Sequence, residues 1–290
     1  MAERQTSETT TRQVDESTKF NLGLRSEHKP LSEADKNEVT GTETYPPASY
    51  PNYLPVWEVP QAKYAPLEPF DFVDRSVGAD EAFPDLLCPG TKIRNLTATL
   101  GAEISGIQLS QLSTQGKDQL ALLVNRKKVL VYHEQDFADL PTCIGEADDY
   151  CRYFGRLFSH SHSEFFDLHT HSMAWHSDNS FDVQPAGVTF LYALEVPDEG
   201  GDTMFVDTER AYERLSPAAQ KFFESLKAVH TSRDQAARAV VGGGYVRREP
   251  LDAVHPVVRT NPATGKKALF VNPQYTRRVM GLKKEESDHF

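Results

Sequence analysis

From Leu96 onward, the apolar residues of this chain fall into short runs parted by turn-forming residues. That spacing constrains the fold more than any other feature. Leu100-Gly-Ala-Glu-Ile-Ser-Gly-Ile-Gln-Leu109 alternates like a strand, with Gly101 and Gly106 suited to turns or bulges. Leu120, Leu123 and Val124 share one face of a short helix, and Val129-Leu-Val-Tyr132 reads as a buried strand. Tyr150 to Phe154 reads as helical, with Gly155 as its C-cap. Val188-Thr-Phe-Leu-Tyr-Ala193 and Thr203-Met-Phe-Val206 are further strand candidates. Ser216-Pro217 is an N-cap with proline at the first helical position, opening a helix expected to bury Phe222, Phe223 and Leu226. Val257-Val258 and Ala268-Leu-Phe-Val271 read as strands joined by the turn-prone Asn261-Pro-Ala-Thr-Gly265. Short strands with a few interposed helices, and no regular βαβ alternation, point to a mainly β fold with flanking helices, a jelly-roll-like core.

The chain upstream reads differently. Residues 1–45 are rich in Thr, Ser, Glu and Lys and carry few large apolar side chains. Such a segment cannot bury enough surface to offset its ordering entropy and is expected to be a disordered tail. Residues 46–95 hold many prolines and aromatics, among them Tyr50, Tyr53, Trp57, Tyr64, Phe70 and Phe72, and read as an extended arm. Residues 96–290 then form the folded domain.

Charge and cysteine content narrow the function classes. A formal charge of −11 argues against nucleic acid or an anionic membrane as a main partner. No run approaches the 18 apolar residues a membrane span requires, and the segment starting at Met1 lacks the apolar stretch of a secretory signal. Cys88, Cys143 and Cys151 are odd in number and lack CxxC spacing, which favours a reducing compartment. A cytoplasmic protein is the expectation.

The chemistry concentrates in Ala174-Trp-His-Ser-Asp178. An imidazole and a carboxylate two positions apart on an extended segment point to one face. With a third ligand they would form the 2-His-1-carboxylate arrangement that holds Fe(II) and leaves positions open. Alone, His-x-Asp is commonly a surface loop. Here it has company: His160, His162, His169, His171 and His176 crowd 17 residues. A solvated histidine-rich loop accounts equally well for His162, His169 and His171. Downstream, Glu199-Gly-Gly-Asp-Thr203 pairs two glycines that allow a positive-φ turn with a threonine hydroxyl that could donate to an anion, although a plain hairpin reads the same way.

The order Phe154-Gly-Arg-Leu157, Trp175-His-Ser-Asp178, Pro185-Ala-Gly187, Gly200-Gly-Asp-Thr203, His255-Pro-Val-Val-Arg-Thr260 and Ala268-Leu-Phe-Val-Asn272 resembles the taurine dioxygenase (TauD/TfdA) family of Fe(II)- and 2-oxoglutarate-dependent dioxygenases, and within it the fungal sulfonate dioxygenases. The likeness covers about residues 96–290. It implies a double-stranded β-helix (jelly roll), His176 and Asp178 as iron ligands, Thr203 on the 2-oxoglutarate carboxylate and His160 on the substrate. It also implies O2 and a small anionic substrate, hydroxylated next to its sulfonate so that it breaks down to an aldehyde and sulfite. His230 and His255 match family positions too and read as structural.

The resemblance runs out before the family's distal histidine and the arginine that pairs with the 2-oxoglutarate carboxylate, since 112 residues follow Asp178. His289 falls too early for that ligand, and Arg277 and Arg278 precede the expected position. The expectation is therefore a jelly roll lacking its C-terminal strands, with little or no turnover and an open sheet edge that favours a homo-oligomer. The alternative is a catalytically inactive family member acting in interaction or regulation.

Overall fold

The computed structural model describes residues 68–138, 150–154, 175–193, 196–241, 246 and 248–290. Its first sheet joins β1 (Lys92–Asn95), β2 (Ala102–Ser105) and β3 (Leu130–Tyr132) in that order. β1 runs antiparallel to β2, with Lys92 opposite Ser105, and β3 runs parallel to β2, with Ala102 opposite Leu130. A parallel pair needs a crossover, and helix α1 (Thr114–Lys127) provides it. In β2, Ala102 and Ile104 are fully buried while Glu103 and Ser105 face outward, the period-two pattern of a sheet with one covered face. The Ser113 hydroxyl caps α1 by accepting from the Gly116 amide at 3.0 Å.

Leu120, Leu122 and Leu123 of α1 pack with Ile104, Leu109 and Tyr150. Phe83 and Leu86, which lie in the stretch read from sequence as an extended arm, are buried in the same cluster. Buried Gln119 holds them there. Its Oε1 accepts from the Asp85 and Leu86 amides, both at 2.9 Å, and its Nε2 donates to Asp85 Oδ2 at 2.8 Å. All of this amide's polar atoms are therefore engaged, as burial demands. α1 ends at Lys128 in a left-handed conformation (φ 70°), and the Lys128 ammonium meets Asp207 at 2.7 Å and Glu209 at 3.0 Å.

Asp207 in turn caps α2 (Thr208–Glu213), accepting from the Glu209 and Arg210 amides. α3 (Pro217–Glu224) starts at Ser216 as the sequence implies, with its hydroxyl accepting from the Ala219 amide at 3.3 Å. The burial expected of α3 is not met. Phe222 is exposed and Phe223 and Leu226 are half-buried, the two phenylalanines resting against Phe290. The second sheet places β4 (Lys227–Thr231) between β5 (Asp252–Pro256) and β8 (Thr276–Val279), antiparallel to both. α4 (Arg233–Val241) follows β4. β6 (Val258–Thr260) and β7 (Lys267–Leu269) form a separate hairpin. Its turn is the expected one: Asn261 Oδ1 accepts from the amides of Ala263 and Thr264, and Gly265 has φ 68°. α5 (Lys284–His289) closes the described chain.

Two strand expectations are corrected. The strand read over Val129–Tyr132 starts at Leu130 and is half-buried. Val188–Ala193 and Thr203–Val206 belong to no strand, and Leu191, Met204, Phe205 and Val206 are exposed. No strand ladder includes either segment among the described residues, and β propensity is realised only in such a pairing. Among the described residues the architecture is mixed helix and strand with small sheets. Gly106, at the end of β2, has φ 84°, and an added Cβ would stand 2.6 Å from the Gly90 carbonyl oxygen. Gly106→Ala is expected to lower unfolding free energy by about 2 kcal/mol, read by urea denaturation. A loss below the error of that measurement would mean the turn re-forms at no cost.

Candidate metal centre

Residues 175–177 carry no regular structure, and the chain turns over 178–182. The Ser180 amide donates to the Ser177 carbonyl at 3.3 Å and the Asp182 amide to that of Asn179 at 2.9 Å. Asn179 occupies the left-handed region (φ 48°), which asparagine tolerates better than most residues. His176 therefore precedes this turn and Asp178 stands at its start, and neither belongs to a strand. Their side chains nevertheless meet: His176 Nε2 lies 3.2 Å from Asp178 Oδ1. Both are partly exposed, at 39% and 42%, so the pair is open to a solute. Two donors sharing a first-row metal in adjacent positions at ~2.1 Å stand about 3 Å apart, and this separation fits that span.

The second carboxylate oxygen is also engaged. Thr189 Oγ1 donates to Asp178 Oδ2 at 2.7 Å, leaving Oδ1 toward His176. The ring of His176 meets that of Tyr275 edge-on at 6.0 Å, and Tyr275 packs on Phe181 at 4.9 Å. Burial, with the charge of Asp178 added, pushes the Tyr275 phenol up to about 12, so it stays neutral and hydrogen-bonding.

Beneath the turn lies a buried polar layer. Ser180 is fully buried, and its hydroxyl meets His230 Nδ1 and Asn272 Nδ2, each at 3.0 Å. His255 Nε2 lies 2.8 Å from the Asp182 carbonyl oxygen. In β4 and β5, His230 opposes Ala253 and His255 opposes Ala228, so the two imidazoles share one face of the sheet, with ring centroids 5.5 Å apart. Phe270 stacks on His230 at 5.4 Å and meets His255 edge-on. Burial first, and then the neighbouring His255, lower the His230 pKa to about 4; burial also lowers that of His255. Both rings are neutral at physiological pH. The reading of these histidines as structural agrees with their burial, His230 within β4 and His255 near the end of β5. Burial also raises Asp182 to about 6, with Arg248 acting in the opposite direction.

Thr203 is exposed and follows Gly200 and Gly201, which have φ 80° and 73°, so the positive-φ turn expected there is present. The strand expected to carry Thr203 is not. His160, His162, His169 and His171 lie outside the described residues. Arg277 is committed to Asp234 and to the carbonyls of Pro273, Gln274 and Thr276. His289 lies in α5. Among the described residues no three His, Cys, Asp or Glu side chains converge. Thr189, Ser180 and Asn272 were not singled out from sequence. Thr189 and Ser180 offered only their nearness to His-x-Asp, and Asn272 only its place at the end of a recognised motif.

Comparison with known proteins supplies the lineage. An alpha-ketoglutarate-dependent sulfonate dioxygenase of Saccharomyces cerevisiae is 40% identical over 268 residues, 83% of this chain and 64% of that protein. The alpha-ketoglutarate-dependent dioxygenase cnsM of Penicillium expansum is 37% identical over 266 residues, covering 83% and 73%. The chain thus spans just under two thirds of the length of the yeast relative. Among solved structures, that of AAD-2 in complex with Mn(II) and N-oxalylglycine superposes with a TM-score of 0.52 at 22% identity, over 69% of this chain and 75% of that one. That likeness concerns the fold alone. No helix among the described residues is long and apolar enough to cross a membrane. The profile of the taurine catabolism dioxygenase TauD, TfdA family matches residues 92–290, more than half of the sequence, and the chain belongs to that family.

Proposed function

We propose that this chain is an Fe(II)- and 2-oxoglutarate-dependent dioxygenase that hydroxylates a small sulfonate, with release of sulfite and an aldehyde. The observation that carries the reading is the 3.2 Å approach of His176 Nε2 to Asp178 Oδ1, on a turn open to solutes and inside the region matched by the family. The yeast relative's description as a sulfonate dioxygenase supports the substrate class. In this reading His176 and Asp178 hold the iron, Thr203 donates its hydroxyl to a 2-oxoglutarate carboxylate, and His160 contacts the sulfonate. Bound iron, with 2-oxoglutarate and O2, would supply the oxidising chemistry. The protein's own part is positioning: Thr189 fixes one oxygen of Asp178, and His176 would present Nε2 to the metal. The small sheets are parts of a double-stranded β-helix, and the enzyme is cytoplasmic.

A second reading, a family member without turnover that acts by interaction, draws support from the exposed apolar side chains at 188–193 and 203–206. Titration of the metal-free protein with Co(II), followed by its visible absorption, tests the site. His176→Ala and Asp178→Ala are each expected to weaken binding at least tenfold, and affinities equal to that of the parent chain would remove the pair from the reading. Anaerobic loading with Fe(II) and 2-oxoglutarate, followed by O2 and a panel of sulfonates, separates the two functions. Sulfonate-dependent succinate and sulfite, however slow, support the enzyme. Metal binding without either product supports the interaction protein.

A further inference from the structure

We infer that Ser180, His230 and Asn272 form a clamp that sets the geometry of the His176–Asp178 turn, so that these buried residues act as positioning residues for the metal. The inference rests on the metal reading above and extends it to residues that touch neither metal nor substrate. Three observations carry it. Ser180 is two residues past Asp178, has no solvent exposure, and is reached by two side chains from distant parts of the sequence, His230 in β4 and Asn272 ahead of β8.

The second observation is that every member of the network is itself held. Asn272 donates Nδ2–H to Ser180 Oγ, while its Oδ1 accepts from the Tyr275 amide at 2.8 Å and its backbone amide donates to Thr276 Oγ1 at 3.0 Å. A serine hydroxyl that accepts from Asn272 has its own proton left for His230 Nδ1, which puts the imidazole proton on Nε2. That nitrogen faces Thr276 Oγ1 at 3.5 Å. A satisfied buried chain of this kind has one low-energy arrangement, whereas a surface turn held by its own backbone has several.

Third, the clamp has two points of attachment. His255 Nε2 lies 2.8 Å from the Asp182 carbonyl, so the far end of the turn is fastened by the neighbouring strand. With residues 180 and 182 fastened and its carboxylate held by Thr189, Asp178 has little freedom to rotate away from His176. Thr189 orients the carboxylate, and the clamp orients the backbone that carries it.

The test uses the full chain with Ser180→Ala, His230→Leu, His230→Asn and Val279→Ala. Val279 is buried in β8 and makes none of the clamp's hydrogen bonds, and its truncation reports what general destabilisation of this sheet does. Two readouts are taken: Co(II) affinity by visible absorption, and hydrogen exchange of the Ser180 and Asp182 amides in the metal-free protein. Ser180→Ala and His230→Leu are expected to weaken Co(II) binding at least tenfold, the scale on which groups behind metal ligands act. They should also speed exchange at both amides about tenfold. His230→Asn, which keeps a polar amide near the position of Nδ1, should restore affinity to within about threefold. Val279→Ala should change neither readout. The clamp is overturned if Ser180→Ala and His230→Leu match the parent chain in both readouts, or if Val279→Ala reproduces their effect. Failure of the metal reading looks different: His176→Ala then leaves Co(II) binding unchanged, while the amide exchange still answers for the clamp.

Discussion

Replacing Lys128 with methionine is expected to lower the unfolding free energy at pH 7 by about 3 kcal/mol, measured by urea denaturation. The ammonium stands between Asp207 and Glu209, whose side chains are 7% and 8% exposed. Removing it leaves two carboxylates in a poorly solvated place, with only Lys266, 3.9 Å from Glu209, as a partial substitute. Burial by itself would lower the Lys128 pKa, but the hydrogen bonds to Asp207 and Glu209 outweigh it and raise the value above 10.5. For Asp207, burial would raise the pKa, and the bonds from Lys128 and the α2 amides bring it below 3.8. The contribution of Lys128 is thus complete below pH 10.5 and lost as pH rises through its folded value. That of Asp207 is complete above pH 3.8 and lost as pH falls through its folded value. Between those limits the effect should be flat. Neutralising the whole group in Lys128→Met/Asp207→Asn/Glu209→Gln is expected to recover most of the loss, because asparagine still caps α2 and no charge is left unpaired. A single-variant loss under about 0.5 kcal/mol would show that water reaches these carboxylates freely.

Asp182→Asn is expected to stabilise the protein at pH 7 by about 2–3 kcal/mol and to make its acid sensitivity steeper. Asp182 is 6% exposed, and burial lifts its pKa to about 6. A carboxyl whose folded pKa is raised helps folding below its unfolded value of 3.8 and loses that help as pH rises through about 6, so at neutral pH it opposes folding. Buried His230, lowered to about 4, works the other way: its contribution is complete above 6.5 and is lost as pH falls through 4. Between pH 4 and 6 the two slopes oppose each other, and the parent chain should show a shallow profile. The asparagine variant removes one of them. Its thermal midpoint should therefore exceed that of the parent at pH 7 by several degrees and fall faster toward pH 4. Parallel profiles would contradict the raised pKa of Asp182.

What was legible in the sequence was local. β2 lies between Gly101 and Gly106, α3 starts at Ser216-Pro217, and the Asn261–Gly265 turn joins its two strands, because each depends on residues a few positions apart. His176 and Asp178 were legible for the same reason. The clamp was not, since Ser180 reaches residues 50 and 92 positions away, and no window of sequence relates them. Gln119 escaped similarly, its partners lying 33 and 34 positions upstream. Val188–Ala193 and Thr203–Val206 failed in the opposite direction. Their composition favours a strand, but a strand is a property of two segments, and the composition of one does not supply the other.

The parallel pairing of β2 with β3 has a kinetic consequence. Their register joins residues 28 apart, Ala102 with Leu130, and α1 fills most of the gap with local contacts. Closing such a loop costs little chain entropy, so residues 92–132 should reach native topology early in refolding. The Ser180–Asn272 bond closes a loop of 92 residues and becomes worthwhile only once β4 and β8 stand together. The turn bearing His176 and Asp178 is thus expected to gain its final shape in the slowest phase, and metal present during refolding should find its ligands only after the first sheet is complete.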